Sequence, residues 1–241
     1  MDILLIEGTR ICSLVNEGFP SEQELEEQFV RVISKTKGIV LVTTASQNID
    51  RLVSIFRSAK RTGRVLVIDI YTAEVLDSLQ EYPRIPKASW KGVRVSLSGA
   101  IARRLIEIGR EDIVRRHRPN IIKWPKINER KDRYIVLIRG SMLGPLKRYM
   151  DLKDAAWIYS LWPGYLERSE SLDRLKKYLD ALGVPIQYLH TSGHAKISDL
   201  KRMVQALKPK TLIPVHTYRP ELFKENFQNV RLASDGEIIE F

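Results

Sequence analysis

Cysteine is nearly absent from these 241 residues, which excludes an intrachain disulfide and any cysteine-based zinc site. The single Cys12, near Ile11 and Leu14 with no motif around it, reads as a buried packing residue. No apolar run approaches the roughly 20 residues needed to cross a bilayer. The opening MDILLIEGTR carries an acid where a signal peptide carries bases, so the expected setting is a soluble chain in the cytoplasm with no membrane partner. Repeats, low-complexity tracts and long linkers are also missing, leaving one or two globular domains with room for a sizeable core. Only four histidines are present, so any imidazole chemistry draws on a small set.

Positive charge is abundant. Forty Lys and Arg against 29 Asp and Glu give a formal charge of +11. Such an excess favours polyanions, nucleic acid first among them. The basic residues are scattered, however, and a charged surface of the heat-adapted kind accounts for them equally.

Short β-branched runs alternate with helical stripes, the pattern of an α/β protein. Strands are expected at Ile3–Ile6, Ile39–Thr43, Val65–Asp69, Val93–Leu97, Tyr134–Ile138, Ala155–Tyr159, Ile186–Leu189, Leu212–Val215 and Glu237–Phe241. Most are continuously apolar, as in parallel strands covered on both faces. Ser21 and Glu24 form a capping box ahead of Leu25, Phe29, Val32 and Ile33 on one helical face. Further helices are expected after Asn48, from Ser171 and from Ser198. Between Tyr82 and Lys131, Pro83, Pro86, Pro119 and Pro125 interrupt the pattern, and this stretch is expected to wrap the sheet rather than extend it.

His194 in HTSGHA and His216 in LIPVHT each follow a predicted strand. Ligands collect beyond the carboxyl ends of strands in open α/β sheets, so both imidazoles suit a site, although each alone also suits a satisfied structural histidine. Glu7 ends the strand Ile3–Ile6, where it could orient an imidazole or simply cap the next turn.

Taken in order, DILLIEGTR (2–10), IVLVTTASQNIDRL (39–52), HTSGHAKISDL and PKTLIPVHT resemble the β-CASP branch of metallo-β-lactamase-fold hydrolases, a group that includes ribonuclease J and the pre-mRNA 3′-end endonuclease. The resemblance implies an α/β fold: a β-CASP domain, a parallel sheet flanked by helices, over residues 13–192, with residues 1–12 and 193–241 forming part of the metallo-β-lactamase-fold lobe. It implies a zinc-dependent phosphodiester hydrolase acting on nucleic acid, RNA in preference. His216 becomes a zinc ligand, His194 an acid to the leaving group or a phosphate contact, and Glu7 the group that orients them. His190 and Ser192 in the same loop, and Ser141 at the cassette mouth, are weaker candidates for substrate phosphate.

The family's H-x-H-x-D-H signature is absent, as are the further histidine and the bridging aspartate that precede the acidic strand in the family. A catalytic zinc needs about three protein ligands and an open position. The chain alone is therefore expected to hold no stoichiometric zinc and to be inactive, as the C-terminal portion of a truncated or split protein. A companion chain would supply the missing half, and uncovered strand edges favour that partner or a homo-oligomer. The rival expectation is a non-catalytic nucleic-acid-binding or assembly module, or a remnant.

Three other groups have plainer readings. Trp157, Trp162 and Tyr165 suit core and hinge packing more than base stacking. Arg115, Arg116, His117 and Arg118 suit a solvated face more than a phosphate contact. The turn Asn48–Arg51 is expected to cap its helix and pair locally.

Overall fold

The computed structural model describes residues 1–11, 20–191 and 193–240; Cys12 and Ser192 lie outside them. Two compact units result, one of residues 20–191 and one combining 1–19 with 192–241.

The chain begins with β1 (Ile3–Glu7), which belongs to the smaller unit. The larger unit then runs α1 (Glu22–Lys35), β2 (Val40–Thr43), α2 (Ile49–Arg61), β3 (Val65–Asp69) and α3 (Ile70–Asp77). It continues with β4 (Val93–Ser96), α4 (Gly99–Glu107), α5 (Glu111–His117), β5 (Ile121–Ile122), α6 (Trp124–Glu129), β6 (Tyr134–Leu137) and α7 (Leu143–Tyr149). It ends with β7 (Ala156–Tyr159), α8 (Tyr165–Arg168), α9 (Glu170–Ala181) and β8 (Ile186–Tyr188). The smaller unit resumes with α10 (Ile197–Leu207), β9 (Thr211–Val215) and α11 (Phe223–Asn226).

Seven parallel strands in the order β5-β4-β3-β6-β2-β7-β8 form the larger sheet. Alternation of side chains explains its apolar strands. Val40 and Val42 join Leu25, Phe29, Ile33, Leu52 and Ile55 on one face, whereas Ile39 and Leu41 join Leu146, Trp157, Leu175 and Leu179 on the other. Each fully buried side chain of this size contributes roughly 1.5–3 kcal/mol of transfer free energy. The expected capping box forms: the Ser21 amide donates to Glu24 Oε2 at 2.7 Å and the Glu24 amide to Ser21 Oγ at 3.2 Å.

The segment 82–131 differs in part from expectation. β4 falls on the strand expected at Val93–Leu97, but together with β5 it extends the sheet at one edge rather than wrapping it, with α4, α5 and α6 around them. The prolines do not break these elements, because Pro119 and Pro125 stand in the first turn of a 3₁₀ segment and of α6, where a missing amide costs nothing. α3 was also unforeseen. It follows β3 with no loop, since Asp69 ends the strand and caps the helix, accepting from the Thr72 amide at 2.9 Å.

In the smaller unit β1 and β9 pair in parallel, Ile3 opposite Thr211 and Glu7 opposite Val215. Leu4, Ile6, Leu200, Leu212, Phe223 and Phe227 form its core, while Leu5 on the other face is exposed. Gly8 continues the ladder, its amide donating to the Val215 carbonyl at 3.1 Å. A Cβ there would stand 2.3 Å from the Phe223 ring, so only glycine fits. The strand expected at Glu237–Phe241 is not formed by residues 237–240, and Phe241 lies outside the described residues. Gly236 turns the chain at φ 79°, and Glu237 folds back to accept from the Ser234 amide at 2.8 Å, leaving Ile238 exposed.

Candidate functional site

The smaller unit brings Glu7, His194 and His216 together. One ligating atom from each lies within 4.8 Å of the other two. Glu7 stands at the carboxyl end of β1, and His216 directly follows β9 in the left-handed region, φ 49°. For a non-glycine residue that conformation costs on the order of 1 kcal/mol. It places the ring beside the β1 turn, where Thr9 Oγ1 lies 3.1 Å from His216 Nδ1 and donates to the His216 carbonyl at 3.2 Å. His194 Nδ1 lies 3.2 Å from Glu7 Oε2, and the two imidazole centroids are 5.5 Å apart.

Glu7 is held from several sides. Oε2 accepts from the Thr9 amide and Oε1 from the Ala195 amide, both at 2.9 Å. Burial pushes its carboxyl up, but the Thr9 amide and hydroxyl, the Ala195 amide and His194 together outweigh that and hold it below its ordinary value. One carboxylate thus ties the strand-end turn to the loop that carries His194. Thr9 is a site residue whose part the sequence left unassigned, and the signal was its place two residues after the acid.

His190 and Ser141 lie in the larger unit, and Ser192 lies outside the described residues. Ser141 is exposed in the turn after β6, two residues beyond Arg139. Arg139 Nε donates to Asp69 Oδ2 at 3.0 Å and Nη2 to Ser46, in a polar group with Thr72 at the carboxyl end of the sheet. His190 follows β8. Its Nδ1 is buried and has no hydrogen-bond partner among the described residues. Burial, then the Arg51 charge, lowers its pKa and favours the neutral ring.

Two linkages follow for stability against pH. His190 titrates below its ordinary 6.5 when folded, so the unfolded chain takes the proton first and stability falls as pH drops beneath that value. Glu7 is depressed below its ordinary 4.5, and its contribution is lost only in the lower window beneath that. Thermal melts from pH 8 to 3 should show both losses. His190→Asn should flatten the upper one and Glu7→Gln the lower; an unchanged upper limb in His190→Asn would remove His190 as its source.

The other sequence groups find structural places. Trp157 is fully buried, while Trp162 and Tyr165 are half-exposed and pack edge to face with centroids 5.5 Å apart. The basic run is not a solvated face throughout. Arg115 pairs with Glu111 at 2.7 Å, Arg116 with Glu74 at 3.0 Å, and His117 is buried. Asn48 caps α2 as expected, accepting from the Arg51 amide, but the Arg51 side chain pairs with Glu22 on α1 rather than locally.

A parallel sheet flanked by helices, joined to a unit whose strand ends gather an acid and two imidazoles, defines a mixed α/β protein with a candidate metal-and-acid site. Comparison with known proteins makes the class more specific. The family described as the Zn-dependent metallo-hydrolase RNA specificity domain matches residues 183–228, which include His194 and His216. Ribonuclease J of Sinorhizobium meliloti is 23% identical over 226 residues, 86% of this chain and 35% of that protein. Ribonuclease J 2 of Streptococcus pyogenes is 23% identical over 228 residues, 88% and 36% respectively. This chain thus spans about a third of the length of the curated relatives it matches. A crystal structure of a protein of unknown function from Enterococcus faecalis superposes with a TM-score of 0.65 at 18% identity, over 98% of this chain and 51% of that one, a likeness of fold. The family match and the ribonuclease J similarity support assignment to the β-CASP metallo-β-lactamase family, whose members are metallo-hydrolases acting on nucleic acid. Among the described residues no helix is long and apolar enough to cross a membrane.

Proposed function

We propose that this chain is the C-terminal portion of a zinc-dependent RNA phosphodiesterase, with residues 13–192 as its β-CASP domain and residues 1–12 and 193–241 as part of its metallo-β-lactamase-fold lobe. The observation that carries the reading is the convergence of Glu7, His194 and His216 from three separate segments, with ligating atoms within 4.8 Å. Two imidazoles and a carboxylate are zinc-compatible donors, and the site fits the metal in kind. With His194 given to proton transfer and Glu7 to orientation, only His216 is left as a ligand, so a companion chain bearing H-x-H-x-D-H completes the set in this reading.

His216 would hold zinc, its ring fixed through Nδ1 by the Thr9 hydroxyl. His194 would give a proton to the departing oxygen, and Glu7, 3.2 Å from its Nδ1, positions the ring. Zinc bound in such a site supplies an activated water and stabilises charge on phosphorus. His190, Ser192 and Ser141 are the weaker phosphate contacts. A second reading, a non-catalytic RNA-binding module in the cytoplasm, is favoured by the +11 charge together with the missing signature.

Mixing the chain with a family N-terminal half that carries H-x-H-x-D-H should restore zinc-dependent cleavage of an RNA oligonucleotide, with each half silent alone. Folded halves that associate and take up zinc without cleaving would make the binding module the better reading. Both readings require the chain alone to bind single-stranded RNA through its phosphates. If about four are neutralised, affinity should fall roughly 50-fold between 50 and 200 mM salt. Fluorescence anisotropy reads this directly, and salt-indifferent binding would leave the basic surface without that role.

A further inference from the structure

Glu74, Asp77 and His117 make a second place where ligating atoms converge, again all within 4.8 Å of one another. It lies wholly within the larger unit, and nothing in the proposed reaction uses it. Glu74 and Asp77 stand at i and i+3 on α3, so both carboxylates leave the same helical face. His117 closes α5 and is only 2% exposed, with Nε2 at 2.6 Å from Glu74 Oε1 and 3.7 Å from Asp77 Oδ2.

We propose that Glu74, Asp77 and His117 form a divalent-cation site that takes a transition ion such as manganese or zinc and clamps α3 to α5. The donor set, one imidazole and two carboxylates, selects such ions over magnesium or calcium, which prefer oxygen alone. Donors around an ion at about 2.0–2.2 Å stand roughly 3.3 Å apart, and the observed 2.6 and 3.7 Å bracket that separation. Sub-ångström shifts of side chains suffice. Both carboxylates are partly exposed, at 24% and 28%, which leaves a solvent side for water ligands.

Arg116 Nη1 lies 3.0 and 3.1 Å from the two Glu74 oxygens, so an ion on Oε1 would share that carboxylate with a guanidinium donor. A ligating carboxylate commonly carries such a partner. The consequence is structural: α3 follows β3, and α5 leads toward the edge strand β5, so the ion would pin the outer part of the sheet. Zinc held here in a one-to-one ratio would overturn the expectation that the chain alone holds none in stoichiometric amount.

The test adds Mn²⁺ alone to the full chain and follows paramagnetic broadening by NMR. Signals of Glu74, Asp77 and the His117 ring should broaden at a one-to-one ratio, and should do so equally in His216→Ala. In parallel, Zn²⁺ should raise the melting temperature read by tryptophan fluorescence. Asp77→Asn, a mild change at a partly exposed acid, should weaken binding by more than tenfold and abolish the rise. His117→Asn should do the same if it folds. Broadening confined to His194 and His216, or a zinc-induced rise indifferent to Asp77→Asn, would overturn the proposal.

Discussion

In the reconstituted pair, His194→Ala should slow RNA cleavage by roughly 10²–10⁴-fold while leaving zinc content unchanged, the scale on which a lost general acid acts. His216→Ala should instead lower zinc content together with cleavage. The distinction rests on where each ring is anchored. His216 is fixed by Thr9 through Nδ1 and through its own carbonyl, whereas His194 stands with Nδ1 3.2 Å from the Glu7 carboxylate and in this reading faces the substrate through Nε2. A substrate with an activated leaving group, such as a p-nitrophenyl phosphodiester, needs no proton on departure. His194→Ala should therefore cost far less on that substrate than on RNA. Equal losses on both would assign His194 to phosphate binding or ring packing, and unchanged cleavage of RNA would remove it from the reaction.

That assignment could not have been reached from spacing alone. Glu7 and His216 are separated by more than two hundred positions, and only the parallel pairing of β1 with β9 brings their strand ends together. The family resemblance stood in for this pairing, because the motif residues retain its types and order. Thr9 went unassigned because its partner His216 is 207 residues distant, although its place two residues after Glu7 was a local signal. The fold was more open to reading where burial is two-sided. Strands such as β7 are buried along their whole length and bounded by polar residues, here Asp154 and Ser160, so their limits show in the sequence. Legibility failed at the sheet's edge. β5 has two residues and α3 only eight, too short for periodicity to register, and proline in the first turn of α6 looks like a break although it starts a helix. His117 was misplaced for a related reason: among three arginines it reads as surface, yet the α3 carboxylates draw it inside.

Arg51 shows the same limit most sharply and carries the largest expected effect on stability. Its side chain is 0% exposed, and its guanidinium joins three elements of the larger unit. Nη2 donates to Glu22 Oε1 at 2.7 Å, Nε to both Glu22 oxygens at 3.1 and 3.3 Å, and Nη1 to the Ser160 carbonyl and hydroxyl. Ser54 supports Glu22 from α2, its Oγ 3.2 Å from Oε2. Truncation would leave the Ser160 carbonyl and one face of Glu22 without donors inside the fold, and breaking a buried pair in this way costs about 3–5 kcal/mol. Glu22 retains 32% exposure, so water can reach it and the lower end of that range applies to Arg51→Ala. Lysine cannot reproduce a five-donor fork and should recover little. All four tryptophans, Trp90, Trp124, Trp157 and Trp162, fall in the larger unit, so their fluorescence during urea unfolding reports on it alone. The control is Arg61→Ala: its side chain is 41% exposed, its partner Glu27 is exposed, and the more covered Glu26 keeps Arg57 as a second partner, so the midpoint should barely move. If Arg51→Ala shifts the transition no more than Arg61→Ala does, the buried guanidinium is not what joins α1, α2 and the end of β7.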